Sequence, residues 1–334
     1  MIITSTPFRV SFFGGGTDYP AWYRENGGLV LATTIDKYCH ISCRHLPPFF
    51  EHKHRIVYSN IENVTNIEEI QHPAVRAVLG WHDCQEGLEI HHDGDLPARS
   101  GLGSSSSFTV GLINALAALD GKRVTKKNLA KNSIHIEQDI IKENVGSQDQ
   151  ILAAYGGFNR IEFNADDTFQ VSPIILPGQR LLDLQDNLML FFTGFTRFAS
   201  EIAKEQIANF KDRQSQLFRM KEMVDEAVNL LQNPTAPLEG FGKLLHESWE
   251  CKRSLADNIS TPAIDSYYEK AMRSGATGGK ILGAGGGGFM LFFVAPELQA
   301  RVREELRDLV HVPFKFESSG SRVVHYQPED HAPN

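Results

Sequence analysis

The chain is poor in cysteine, has no cationic block and lacks any long apolar run. Its 334 residues include four cysteines, Cys39, Cys43, Cys84 and Cys251. Cys39 and Cys43 lie close to His40 and His45, but the spacing is wrong for a paired CxxC zinc site, and the other two cysteines stand alone. Reduced thiols in a cytoplasmic protein are expected instead. The formal net charge is -8, with no segment rich in Lys and Arg, which argues against a nucleic-acid or membrane-surface binder. Any phosphate must therefore be held by a few placed cations and by backbone amides. The longest apolar run, Phe289 to Ala295, is too short to cross a bilayer. The opening MIITSTPFRVSFFGGGT has no basic stretch followed by an apolar one, so no signal peptide is expected. No internal repeat or low-complexity linker is visible.

Two familiar nucleotide signatures are also missing. Gly279-Lys280 is followed by Ile281, so no Walker A loop exists. A G-x-G-x-x-G does occur at Gly283, Gly285 and Gly288, but it runs into FMLFFV, which reads as a strand. The dinucleotide fingerprint must open a helix, so a Rossmann site is excluded. The Gly283 to Gly288 run reads as a close backbone approach to another segment or to a ligand, with Gly285 and Gly286 as candidate substrate contacts.

What is present suffices for two domains, since 41% of residues are hydrophobic. Strands are expected at Arg9–Phe13, Val30–Ile35, His40–Cys43, Leu88–His92 and Phe158–Phe163. A helix should start in the serine run and reach Leu119, with Phe108, Leu112, Leu116 and Leu119 on one face. A second should span about Thr125 to Glu143, and a short one should follow Gly146. In the second half the pattern predicts a strand at Leu188–Thr193 and a long amphipathic helix over Ala199–Leu231, stopped by Asn233-Pro234. Another helix, the Gly-rich turn, the FMLFFV strand, a helix over Pro296–Leu309 and two last strands complete it. Strands and helices do not alternate regularly, which indicates α+β. The boundary is placed near Pro177-Gly178, giving segments 1–180 and 181–334.

The run Pro97-Ala98-Arg99-Ser100-Gly101-Leu102-Gly103-Ser104-Ser105-Ser106-Ser107 carries the strongest chemistry. It is a Gly/Ser loop entering a helix, whose first turn offers unpaired N–H groups and the positive end of the macrodipole. Glycines admit a phosphate closely, and serine hydroxyls donate to it or ligate Mg²⁺. A simple N-cap would need one serine, not four behind G-L-G. Glu137 and Asp149 follow, and phosphoryl transfer uses one carboxylate for Mg²⁺ and another for the hydroxyl proton. Arg9 and Asp18 bracket the turn Gly14-Gly15-Gly16-Thr17. The cation would suit a transferring phosphoryl group, and the acid would suit sugar hydroxyls. Each of these residues alone also fits an ordinary surface or turn role.

Together the pieces resemble the GHMP kinases (galactokinase, homoserine, mevalonate and phosphomevalonate kinases). Thr6 to Gly14 (TPFRVSFFG) is similar to the family's A-P-G-R-V-N-L-I-G motif. Pro97 to Ser106 matches P-x-x-x-G-L-G-S-S-[AS], and Lys280 to Phe289 resembles K-x-x-G-A-G-G-G-G. The resemblance implies an N-terminal domain like ribosomal protein S5 domain 2 and a ferredoxin-like C-terminal domain, with the site between them. It implies ATP bound at Pro97, Ser100, Gly101, Leu102, Gly103, Ser104, Ser105 and Ser106, and Mg²⁺ at Ser105 and Glu137. Asp149 would be the catalytic base and Arg9 its partner, and the sugar would lie near Gly15, Gly16, Thr17 and Asp18. Galactokinases read G-E-H-T-D-Y where this chain reads GGGTDY, so two side chains that would hold galactose are missing.

GGGTDYP, GGLVLATTIDKY and TGFTRFAS resemble the D-glycero-D-manno-heptose 7-phosphate kinases, which phosphorylate the anomeric hydroxyl to give the 1,7-bisphosphate. L-fucokinases share a related run and are the alternative. A non-catalytic sugar-binding protein or a decarboxylase of the same fold stands further off. A phosphorylated sugar would need a cation, and Arg197 is the candidate, with Lys252 and Arg44 behind it. Neither nucleic acid nor membrane is expected as a partner, and the oligomeric state, a homodimer included, is left open.

Overall fold

The computed structural model describes residues 1–47, 49–98, 100–194 and 199–327. The first half runs β1 (Ile2–Phe13), α1 (Pro20–Asn26), β2 (Gly28–His45), β3 (His54–Val57), β4 (Ile61–Val64), α2 (Pro73–Trp81), β5 (Leu88–Gly94), α3 (Ser104–Leu119), α4 (Lys126–His135), α5 (Gln148–Tyr155), β6 (Phe158–Phe163) and β7 (Phe169–Pro173). The second runs α6 (Gly178–Asp186), β8 (Leu188–Phe192), α7 (Ala199–Asn209), α8 (Gln214–Gln232), α9 (Glu239–Arg253), α10 (Pro262–Arg273), β9 (Ala276–Ile281), β10 (Phe289–Val294), α11 (Gln299–Glu305), β11 (Val310–His311), β12 (Phe316–Glu317) and β13 (Arg322–Tyr326).

The spine of the larger sheet is β2. It pairs antiparallel with β1 along most of its length, with β6 through its first residues and with β5 through its last. The path is β13-β1-β2-β5-β3-β4, with β12 also on β2 and β7 on β6. The smaller sheet is antiparallel, in the order β11-β8-β10-β9. The β10 run FMLFFV is buried at every position, as an unbroken apolar strand requires when both faces are covered. The helix α3 packs on β1 and β2, and α9 packs along β9. Phe12 and Phe13 of β1 meet Phe241 of α9 edge-on, at 5.4 and 5.1 Å between ring centroids. Each such pair adds about 1 kcal/mol beyond its buried area, and these two tie the sheets together beside the site. Among the described residues, no helix is long and apolar enough to cross a membrane.

The α+β class is as expected, and α3, β6, β8 and β10 lie where the pattern puts them. Several boundaries differ. Val30–Ile35 and His40–Cys43 belong to one strand, β2. The helix expected over 199–231 is broken by a 3₁₀ turn at Phe210–Asp212. There Phe210 turns inward onto Tyr19 and Trp22, at 5.9 and 6.2 Å, and Asn209 Nδ2 donates to the Leu255 carbonyl. The second helix is α4 continued by a π-helix, Ile136–Ile140. The last predicted helix shrinks to α11, because Pro296–Leu298 forms a 3₁₀ turn and Val310 enters a strand. Pro177 is the N-cap of α6. Two late strands, β12 and β13, join the larger sheet.

Candidate active site

The loop Ser100–Gly103 enters α3 at its N-cap, Gly103. Gly101 and Gly103 have φ of +85° and +75°, a left-handed conformation that glycine adopts without a Cβ penalty. The Gly283–Gly288 turn lies directly on this loop. A Cβ on Gly283 would stand 2.5 Å from Gly101 Cα, and one on Gly288 would stand 2.2 Å from the Ser100 carbonyl oxygen. The Phe289 N–H donates to that same carbonyl at 3.1 Å. The expected close approach is therefore backbone on backbone, with the phosphate loop as the second segment. Gly285 and Gly286 rest on Ile259, whose carbonyl accepts from the Gly286 N–H at 2.8 Å.

Arg9, on β1, is 4% exposed. Its Nε and Nη2 donate to Asp149 Oδ1 and Oδ2, both at 2.7 Å, and Nη1 donates to the Gly101 carbonyl at 2.6 Å. Asp149 sits in the first turn of α5, and its Oδ2 lies 3.3 Å from where a Gly103 Cβ would be. One carboxylate is thus held by a two-pronged cation against the start of α3.

Asp18 is buried beside this pair. Its Oδ1 accepts from the Gly16 N–H at 2.9 Å, and its Oδ2 accepts from Gln148 Nε2 at 3.0 Å. Burial raises its pKa, the hydrogen bond from Gly16 opposes this, and the charge of Asp149 adds to the rise. Gly146 is required here, since a Cβ on it would lie 1.9 Å from Asp18 Oδ2. Thr17 serves the turn itself. Its buried hydroxyl bonds the Gly14 and Leu29 carbonyls at 2.8 and 2.9 Å and accepts from the Leu29 N–H, so the expected sugar contact is already engaged with the backbone. A Cβ on Gly15 would make ordinary contacts only, 3.7 Å from both Gln148 Nε2 and Ser11 Oγ.

Glu137 lies in the π-helix, 1% exposed. Ser106 Oγ donates to its Oε2 at 2.9 Å, and Gln150 Nε2 donates to the same oxygen. Its Oε1 is buried without a hydrogen-bond partner. Burial pushes its pKa up to about 7, against the opposing pull of Thr109, Ser106 and Gln150. A buried carboxylate with an orphaned oxygen fits a divalent cation. Ser106 is the hydroxyl bonded to Glu137, while Ser105 is exposed on the first turn of α3. Pro97 is also exposed and Leu102 buried; the Ser100 hydroxyl is buried without a partner.

Two lysines complete the surroundings. Lys280, on β9, is 2% exposed and donates to the Phe12 carbonyl at 2.7 Å. Lys252, in the last turn of α9, is 6% exposed and donates to the carbonyls of Ile281 and Gly283. Sequence reasoning did not single out Lys280 as a site residue, although the motif KILGAGGGGF opens on it. Arg44 is taken by Glu89, at 2.7 Å from its Nε. Arg197 lies outside the described residues. Cys39 and Cys43 are buried and in no disulfide, and among the described residues no group of three or more His, Cys, Asp or Glu side chains is placed to hold a metal.

Known proteins resemble this chain in sequence and in fold. A model of the GHMP kinases N terminal domain matches residues 68–157, and one of the GHMP kinases C terminal domain matches residues 237–311. A D-glycero-alpha-D-manno-heptose 7-phosphate kinase of Campylobacter jejuni is 29% identical over 316 residues, covering 92% of this chain and 93% of that one. The L-fucokinase/L-fucose-1-P guanylyltransferase of Bacteroides fragilis is 25% identical over 89% of this chain, which spans 35% of that longer protein. The crystal structure of a D-glycero-D-manno-heptose 1-phosphate kinase from Bacteroides thetaiotaomicron shares the fold, with a TM-score of 0.79 at 21% identity, covering 97% of this chain and 99% of that one.

Proposed function

Because the chain belongs to the GHMP kinases, we propose that it transfers the γ-phosphoryl group of ATP to the anomeric hydroxyl of D-glycero-D-manno-heptose 7-phosphate, giving the 1,7-bisphosphate. Sugar phosphorylation is the chemistry of its heptose- and fucose-kinase relatives. The heptose substrate rests on the GGGTDYP turn and on the Campylobacter relative.

The observation that carries the reading is the placement of Asp149. It is gripped by Arg9 and faces Gly103 at the start of α3. A hydroxyl lying between this carboxylate and a phosphate on the loop would have its proton accepted at Asp149 while the helix start holds the donor. Ser100 to Ser106, with Pro97 at the entry, form the ATP-phosphate cradle. Arg9 fixes the base and supplies positive charge to the developing transition state. Asp18, Gly15 and Gly16 border the acceptor, and Arg197 remains the candidate cation for its 7-phosphate.

Glu137 and Ser105 would hold Mg²⁺, with Ser106 orienting the carboxylate. When bound, the ion neutralises charge on the nucleotide phosphates. Residues 1–180, with the late strands β12 and β13 added to their sheet, would form the ATP-holding domain and the rest of 181–334 the second domain, in a cytoplasmic enzyme.

Coupled ADP release with D-glycero-D-manno-heptose 7-phosphate, unphosphorylated heptose, L-fucose and galactose tests the reading. Strong preference for the 7-phosphate is expected. Turnover of L-fucose in its place would make the chain a fucokinase, a reading favoured by the fucokinase match over 89% of the chain.

A further inference from the structure

Three cations from three elements lie close enough to act on one another's charge: Arg9 of β1, Lys252 of α9, which reaches the glycine-rich turn, and Lys280 of β9. Arg9 is already matched by Asp149. The lysines are not matched in this way. Their hydrogen bonds run to main-chain carbonyls of Phe12, Ile281 and Gly283, and among the described residues neither makes a salt bridge. The nearest acids, Asp18 and Asp149, accept their hydrogen bonds from other donors. Burying two neighbouring ammonium groups is unfavourable unless a counter-charge is supplied. The geometry says where that charge would come from. Lys252 holds the Gly283 carbonyl, and Gly283 rests on Gly101 of the phosphate loop.

We propose that Lys252 and Lys280 form a cation pair whose counter-ion is a substrate phosphate group bound between the phosphate loop and Arg9–Asp149, so that the site takes up protons as that anion binds. The inference rests on the kinase reading. Without the anion, burial lowers both ammonium groups, Lys280 to about 7 and Lys252 well below its ordinary value. For Lys252, the charges of Lys280 and Arg9 deepen the fall, and Asp18 and Asp149 oppose it. For Lys280, Arg9 deepens it and Asp18 opposes it. An arriving phosphate reverses the balance, and each lysine recovers a proton from solvent.

The test is calorimetric titration at pH 8 in buffers of different ionisation enthalpy. At that pH Glu137 is already ionised and contributes little. The titrants are Mg·ADP, D-glycero-D-manno-heptose 7-phosphate and unphosphorylated heptose. Net proton uptake is expected with a phosphate-bearing ligand and not with unphosphorylated heptose. Uptake with Mg·ADP assigns the counter-ion to the nucleotide, and uptake with the sugar phosphate alone assigns it to the acceptor.

Lys252→Met and Lys280→Met should reduce the uptake and weaken that ligand about ten- to hundredfold. The melting temperature of the ligand-free variants should hold or rise, while Lys252→Arg should restore part of the affinity. If Lys252 merely ties α9 to the turn, Lys252→Met will instead lower the ligand-free melting temperature and leave the ligand-induced shift intact. That result, or nucleotide and sugar-phosphate binding without uptake, overturns the inference alone. Failure of the wild type to bind either ligand overturns the kinase reading and this inference together.

Discussion

Arg9 and Asp149 are 140 residues apart in the chain, yet their side chains form a two-pronged ion pair with both contacts at 2.7 Å. The pair is largely buried, with Arg9 5% and Asp149 23% exposed in their side chains. Its geometry keeps the carboxylate plane fixed against Gly103. Asp149→Asn preserves size but removes the proton acceptor, so kcat should fall about 10² to 10⁴-fold. Binding of Mg·ADP, followed by calorimetry, should stay within a few-fold of wild type. Full turnover by Asp149→Asn would remove this residue from the base role.

Glu137 should make the metal-free protein sensitive to pH. Its folded pKa of about 7 lies above its ordinary value of 4.5. Below about 4.5 the group is protonated in both folded and unfolded chains, and its contribution is fully present. As pH rises toward 7 the unfolded chain ionises first, and about 3 kcal/mol of stability is lost. Thermal melts in EDTA between pH 5 and 7.5 should show a decline that Glu137→Gln lacks. Equal slopes for the two proteins would contradict this. The same variant should bind Mg²⁺-nucleotide more weakly and lose most of its turnover.

The helix α3 was legible because a Gly/Ser loop precedes apolar residues at helical spacing, and β10 because FMLFFV admits little but a buried strand. The candidate roles of Arg9, Glu137 and Asp149 came only from the order of three motifs. No local spacing brings Arg9 to Asp149; the pairing of β1 with β2 and the packing of α5 do that. Within four consecutive serines, the one meeting Glu137 depends on the rotation of α3, and the structure gives Ser106 to that bond. Thr17 is expected as a ligand contact, yet in the structure its hydroxyl is engaged by three backbone groups of Gly14 and Leu29, which no local spacing shows. The break at Phe210 comes from aromatic partners almost 200 residues earlier in the chain, Tyr19 and Trp22. An amphipathic pattern cannot register them.

Asp18→Asn probes the acceptor side. Both carboxylate oxygens face donors, the Gly16 N–H and the Gln148 amide. An asparagine would turn its own NH₂ toward one of them, leaving a buried donor unsatisfied at a cost of about 1–3 kcal/mol. The KM for the sugar should rise about tenfold or more, with the KM for ATP little changed. A rise confined to ATP would place Asp18 with the nucleotide and move the acceptor elsewhere.

A pair of glycine substitutions separates the site from the scaffold. Gly283 has φ of +71°, and a Cβ there would meet Gly101 Cα at 2.5 Å. Gly283→Ala must strain the turn and push the phosphate loop, because the neighbour is backbone and cannot rotate away. A stability loss of about 2 kcal/mol or more is expected from the conformation and the clash together, with a raised KM for ATP. Gly80, in the last turn of α2, has nothing within 4 Å of its would-be Cβ. Gly80→Ala should therefore stabilise by about 0.5–1 kcal/mol through helix propensity alone, leaving both KM values unchanged. Denaturant unfolding and steady-state kinetics on the two variants read both effects. If Gly283→Ala kept a wild-type KM for ATP despite its strain, the turn would buttress the fold without shaping the phosphate loop.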